Sequence, residues 1–316
     1  MKVGFWQSII SAIAFWFSIQ RIDEHLVIKF FGIKFCQKLK VKYNFKPVTE
    51  YGLTTEKRNP KLIVSLTTFP ARINIVHKTI STLLQQTLKP DEVVLWLADS
   101  QFPERILPPS LTDLQKYGLT IKWCEDIRSF KKLIPSLKEY PNDIIVTVDD
   151  DNYYDNRLLE TLYNSYLKNP AFIHARQAFV IKSDKKFKLS IKSRNYSYDK
   201  TYLPSFLNEP VGCGGVLYPP RSLHENVLNQ EQFMDVIPTN DDIWFWAHAL
   251  QNNTKIQVVK NNYRLRMYVV ENSQEDSLWK HNMLNTTTGL NGNDAVNLMK
   301  EMFPVVKENL WYELKK

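Results

Sequence analysis

Residues 143–154 read DIIVTVDDDNYY. Ile144 to Val148 form an unbroken β-prone run, which predicts a strand covered on both faces, because a strand with one wet face alternates apolar and polar residues. The run ends directly in Asp149, Asp150 and Asp151. Three acids at the mouth of a buried strand demand an explanation beyond the ordinary one of a solvated turn.

The segments before it repeat the pattern. LIVSLTTF (62–69) predicts a buried strand, INIVHKTISTLLQQT (73–87) a helix, EVVLWLA (92–98) a second strand and LTIKWCE (119–125) a third. Pro70 and Pro90 punctuate them, and a helical stretch around 129–139 leads into the strand that opened the reading. Continuous apolar strands alternating with helices predict an α/β fold with a mostly parallel sheet flanked by helices. In such sheets ligands sit beyond the carboxyl ends of the strands, where the acid triplet falls.

After residue 170 the alternation weakens. FIHARQAFVI (172–181) and IQVVK (256–260) predict strands, VGCGGVLYPP (211–220) a glycine-rich strand and turn, and PTNDDIWFWAHALQ (238–251) a capped helix. A less regular second half is therefore expected.

The 316 residues, 44% hydrophobic and 13% aromatic, suffice for a large packed core. Cys36, Cys124 and Cys213 stand far apart with no CxxC pair, which suggests neither a disulfide framework nor a zinc knuckle and fits a reducing compartment. Most of the net charge of +8 lies in residues 1–46, where eight basic residues face only Asp23 and Glu24. Beside them, VGFWQSIISAIAFWFSI (3–19) has no charge and a narrow polar stripe of Gln7, Ser11 and Ser18. This predicts an amphipathic membrane-associating helix over 1–22 on an anionic surface, with a spanning or core-docked helix as the alternatives. No base-stacking pattern accompanies the charge, so nucleic acid is not an expected partner. HLVIKFFGIKF (25–35) predicts a small hairpin, and residues 23–60 form a basic hairpin and linker ahead of a main domain over 61–316.

Chemistry is expected at several places. Asp149 and Asp151, at i and i+2, suit a hard divalent cation, Mn²⁺ or Mg²⁺, leaving Asp150 to face a sugar or a lysine. Lys131 and Lys132 open a predicted helix, where a diphosphate or plain solvation fits equally. Asp126 ends a strand, a place for a ribose or base contact or a turn. Asp241 and Asp242 offer a general base for an acceptor hydroxyl, or simply a stabilised helix N-terminus. Gly212, Gly214 and Gly215 allow close backbone approach to a donor sugar or mark a tight turn, while Trp244 and Trp246 suit either a sugar platform or the core.

The ordered run SLTTFPARI, SFKKLIP, VTVDDDNYY, GCGGVLYPP and PTNDDIWFWAHAL resembles the GT-A fold glycosyltransferases of bacterial surface-polysaccharide synthesis, close to the family 2 type. The resemblance spans residues 60–300. It implies that Thr67, Thr68, Pro70 and Arg72 hold the nucleotide, joined by Asp126, Lys131, Lys132, Asp149, Asp150, Gly214 and Gly215 around the nucleotide sugar. It makes the triplet a DxD motif with Asp149 and Asp151 at the metal, His281 in SLWKHNM a later metal ligand, and Asp242 or Asp241 the base. Asn-Asp-Asp at 240–242 departs from the commoner Glu-Asp, so the choice of base stays open. The implied activity is hexosyltransferase-like, with inversion or retention undecided: transfer from a nucleotide sugar, a UDP-sugar foremost, to a glycan or lipid-linked acceptor in lipopolysaccharide or capsule synthesis. Its place would be the cytoplasmic, inner face of the cell membrane, as a peripheral protein. A non-catalytic glycan-binding scaffold and an aspartate-nucleophile phosphotransferase are the competing classes, the latter disfavoured by Asn152-Tyr153 after the triplet.

Overall fold

The computed structural model describes residues 17–22, 25–30, 33–38, 43–192, 203–260, 262, 265–275 and 292–315. The chain divides into two compact units, Met1–Phe45 and Lys46–Lys316. In the first, β1 (Phe17–Ile22), β2 (His25–Phe30) and β3 (Ile33–Lys38) form an antiparallel sheet. Residues 17–22, expected in the amphipathic helix, are thus a strand. β-branched and aromatic residues recur in both segments, and the antiparallel pairing from Ile22 with His25 to Phe17 with Phe30 suits them better than a helix. Residues 1–16, which carry most of the expected helix, lie outside the described residues.

The second unit takes in residues 46–60, read from sequence as linker. They are tied down by Gly52 N–H to Tyr117 O (2.8 Å), Thr54 N–H to Pro90 O (2.9 Å) and an Arg58–Asp91 ion pair at 2.8 Å.

The central sheet has β4 (Leu62–Thr67), β5 (Glu92–Ala98), β6 (Leu119–Cys124) and β7 (Ile144–Thr147). A short strand β8 (Asn152–Tyr154) follows, then β9 (Ile173–Ala175) in the sheet, and β10 (Ala178–Ser183), β11 (Leu189–Lys192) and β12 (Asn208–Pro210) outside it. The sheet is completed by β13 (Val216–Tyr218) and β14 (Ile256–Val258), and β15 (Met267–Val269) pairs with β8. Its order is β14-β9-β13-β7-β4-β5-β6. Neighbours run parallel except β13, which is antiparallel to both β7 and β9. This is the mostly parallel, helix-flanked sheet of a Rossmann-like GT-A architecture, with smaller and less regular sheets in its second half.

Both faces are buried, which accounts for the unbroken apolar runs. Leu62, Val64 and Leu66 of β4, with Ile144 and Val146 of β7 and the following Val148, pack against α1 (Val76–Leu83), beside α2 (Pro109–Thr112). α4 (Leu158–Lys168) packs its Leu158, Leu159 and Leu162 into that same layer. On the other face Ile145, Val216 and Tyr218 share a core with α3 (Ile134–Glu139), α5 (Gln230–Val236) and α6 (Asp241–Gln251). α7 (Gly292–Met302) and α8 (Pro304–Leu314) cover α6 in turn. A buried Leu, Ile or Val contributes about 1.5–3 kcal/mol, so these two layers hold the strand ends in place.

Candidate active site

The site is assembled where β4 and β7 end. Asp149 to Asp151 follow β7 and turn into β8, and each acid meets a different environment.

Asp150 points inward and is buried. It accepts from Thr68 Oγ1 at 2.5 Å and from Arg72 Nη1 at 2.6 Å, and its carbonyl accepts from Thr79 Oγ1 of α1 at 2.8 Å. Burial raises its pKa, against the pull of Arg72 and Thr68. Asp150 is thus the clamp that fixes the triplet to the loop after β4. Thr68 and Arg72, expected at the nucleotide, direct these groups at Asp150, and Thr67 Oγ1 donates to Trp96 O at 2.9 Å. Pro70 opens a short 3-10 turn, Pro70–Arg72, which aims Arg72 back at the triplet.

Asp151 is largely buried. Its Oδ2 lies 3.1 Å from Arg72 Nη1 and accepts from Gln274 Nε2 at 2.8 Å, while Oδ1 accepts from Asn152 Nδ2 at 2.7 Å. Burial first, then the charge of Asp149, pushes its carboxyl up to about 6. Asp149 is the most open of the three, with its side chain 32% exposed. Its N–H donates to Tyr154 Oη at 3.0 Å, and that phenol donates to Cys213 O at 2.9 Å.

The second link comes from topology. Because β13 runs antiparallel to β7, with Val216 opposite Thr147, the Gly212–Gly215 turn before β13 lies beside the end of β7. Gly215 has φ +94, a conformation that favours glycine, and a Cβ on Gly214 would collide with Gln177. The N–H of Gly212 donates to Asp242 Oδ2 at 2.8 Å. Asp241 and Asp242 occupy the first turn of α6, where the helix dipole favours acids.

Lys132 joins the two groups. From a 3-10 turn at Arg128–Lys132, whose last carbonyl accepts from Ser65 Oγ, its buried ammonium reaches Asp149 Oδ1 (3.1 Å), Asp241 Oδ2 (2.8 Å) and Asp242 Oδ1 (3.2 Å). Burial works against this charge, but the three carboxylates outweigh it and hold the pKa well above the ordinary value. Asp242 is itself pushed up to about 6 by burial, with Asp241 and Asp149 adding to the rise and Lys132 opposing it. Lys131 behaves differently: it is buried and donates to Asp126 Oδ1 at 2.5 Å. Burial would raise Asp126, but Lys131 with the Arg128 N–H and Gln101 holds it below the usual range. These two candidates thus pair with one another.

Glu209 of β12 was not anticipated. It is buried beside Asp241 and Asp242, its Oε2 has no hydrogen-bond partner among the described residues, and burial with those two charges holds its pKa well above the carboxylate range. Nothing in Asn208-Glu209-Pro210 as a sequence distinguishes it from a surface acid. Trp244 and Trp246 are core residues: both are fully buried and donate their indole N–H to Val227 O and Phe206 O. His281 lies outside the described residues.

The arrangement therefore places six carboxyls, Asp149, Asp150, Asp151, Asp241, Asp242 and Glu209, around two cations, Arg72 and Lys132. That excess of negative charge and the hard oxygen donors fit a divalent cation. Among the described residues, three or more His, Cys, Asp or Glu do not converge as a closed metal site. Magnesium-type sites commonly use one or two carboxylates with substrate phosphates, which is what Asp149 and Asp151 offer.

No protein-family model matches the chain, and no curated protein does. Among solved structures it is similar to S. aureus TarS 1-349, at 15% identity and a TM-score of 0.44, over 64% of this chain and 58% of that one. TarS 1-349 in complex with UDP-GlcNAc gives 15% identity and a TM-score of 0.44, over 64% of this chain and 56% of that one. The chain thus spans less than two thirds of the structures it matches.

Proposed function

We propose that the protein is a metal-dependent, inverting glycosyltransferase. It moves a hexose-type sugar from a UDP-sugar or similar donor to a glycan or lipid-linked acceptor of cell-surface polysaccharide, at the inner face of the cell membrane. The observation that carries this reading is the convergence of Asp149 and the Asp241–Asp242 pair on one buried ammonium, Lys132. A candidate cation-binding acid and a candidate base thereby face one site from segments far apart in the sequence.

Asp149 and Asp151 would hold Mn²⁺ or Mg²⁺, which supplies charge neutralisation for the leaving diphosphate. Asp242 is the base: its Oδ2 is oriented by the Gly212 N–H, and a carboxyl held near 6 is ionised at neutral pH yet basic enough to take a hydroxyl proton. The acceptor oxygen bonds to the anomeric carbon as the bond to the diphosphate breaks, and the proton passes to Asp242. Arg72 and Thr68 position the triplet through Asp150. Membrane attachment is assigned to residues 1–22; no described helix is long and apolar enough to cross a membrane.

The test is transfer from a panel of nucleotide sugars by wild type, Asp151→Ala and Asp242→Asn at saturating Mn²⁺. Loss of turnover in both variants with the fold retained is expected; undiminished turnover in either overturns its assigned role. Titration with UDP separates this reading from a glycan-binding scaffold, which would bind no UDP with or without Mn²⁺.

A further inference from the structure

Resting on the proposed metal at Asp149 and Asp151, we infer that Gln274 supplies a third protein oxygen ligand to that cation. Amide carbonyls are ordinary ligands for hard divalent ions.

The placement of Gln274 is built rather than incidental. β15 pairs with β8 so that Val269 lies opposite Asn152, the residue after Asp151. One step further, the Val270 N–H donates to the Asp151 carbonyl at 2.8 Å. Glu271 is then held by Tyr153 Oη at 2.9 Å and by Lys78 of α1 at 3.4 Å. Four fastenings within 269–274 thus lay this strap along the triplet and bring the Gln274 side chain to Asp151 Oδ2 at 2.8 Å.

Gln274 now donates to that oxygen, and its Nε2 also lies 3.2 Å from Ser273 Oγ. With a cation at Asp149 and Asp151 the same N–H₂ would face positive charge and be repelled. An amide carries its acceptor on the other branch, so a half turn about the last side-chain torsion presents Oε1 without moving the strap. Gln274 would therefore close Asp151 when the ion is absent and ligate when it is present.

The experiment measures Mn²⁺ binding to the full chain by loss of the free-ion electron paramagnetic resonance signal, with Mn²⁺ alone and with UDP. Thermal unfolding with and without Mn²⁺ runs in parallel. Gln274→Ala should bind roughly tenfold more weakly and lose most of the Mn²⁺-dependent rise in melting temperature. Gln274→Glu, with another carboxylate beside Asp151, should melt lower than wild type without metal, bind Mn²⁺ at least as tightly and regain stability with it. A purely hydrogen-bonding role would shift Gln274→Ala equally with and without Mn²⁺. Binding by Gln274→Ala within about twofold of wild type overturns the inference and leaves the metal reading standing. A wild type that leaves Mn²⁺ free in both conditions overturns the metal reading and this inference with it.

Discussion

The Lys132 ammonium lies 3.2 Å from an Asp242 oxygen across 110 residues of sequence. With Asp149 and Asp241 on the same nitrogen, removing it leaves the buried Asp241 and the part-buried Asp149 and Asp242 without their shared cation. Lys132→Met keeps the stem and removes the charge, and should cost about 3–5 kcal/mol in urea unfolding at pH 7.5. The loss should shrink at pH 5 as Asp242, raised to about 6, takes up a proton. A cost under about 1 kcal/mol at pH 7.5 would mean that Lys132 does not hold the two groups together.

The pH dependence follows from Asp242, raised to about 6. Transfer should rise with pH through about 6 and level off above it, because only the ionised carboxylate accepts the proton. Stability moves oppositely. Asp151 and Asp242 both bind protons more tightly folded than unfolded, so their contribution is fully present below the ordinary carboxylate value and is lost as pH rises through about 6. Metal-free protein should therefore be more stable near pH 5 than pH 7.5 by on the order of 1–3 kcal/mol from these two groups. Added Mn²⁺ should narrow the gap at pH 7.5. Calorimetry across this range, showing instead a rise in stability from pH 5 to 7.5, would contradict it.

Gly212 has no room for a side chain. A Cβ there would fall on the Asp242 carboxylate and within 2.6 Å of Lys132 Nζ. Gly212→Ala should displace Asp242, the proposed base, and reduce kcat by roughly a hundredfold, with about 1–3 kcal/mol of stability lost. Wild-type kcat in this variant would remove Asp242, as positioned by Gly212, from the reaction.

Asp150 and Asp149 differ in burial, so stability separates their roles. Asp150→Ala leaves Thr68 without its acceptor and Arg72 with only Asp151, and should cost about 3–5 kcal/mol. Asp149→Ala, at a partly exposed carboxylate, should cost under about 1 kcal/mol while lowering Mn²⁺ binding. Equal melting temperatures for the two variants would show that Asp150 is no clamp.

Removing residues 1–16 spares β1 and takes away most of the uncharged apolar stretch. The truncated protein should stay in the supernatant when vesicles containing phosphatidylglycerol are sedimented, and keep its UDP binding. Undiminished cosedimentation would assign membrane contact elsewhere.

The sheet strands and the position of the acid triplet were legible in the sequence because they depend on local pattern. Ile144 to Val148 must lie between two apolar layers, and whatever follows them must emerge beyond the carboxyl ends of the parallel strands. What each acid does was not legible. The residue types at Thr68, Arg72 and Lys132 suited a nucleotide or diphosphate equally well, but α1 and the loop after β4 turn Arg72 onto Asp150. The one strand of the central sheet that runs against its neighbours, β13, carries the glycine turn to the end of β7, and α6 delivers Asp241 and Asp242 to Lys132. Neither Glu209 nor Gln274 announces itself, since each matters only through neighbours at least 30 residues away. Periodicity within one segment records which faces are buried; which charge meets which is set when distant segments pack, and only the tertiary structure holds that information.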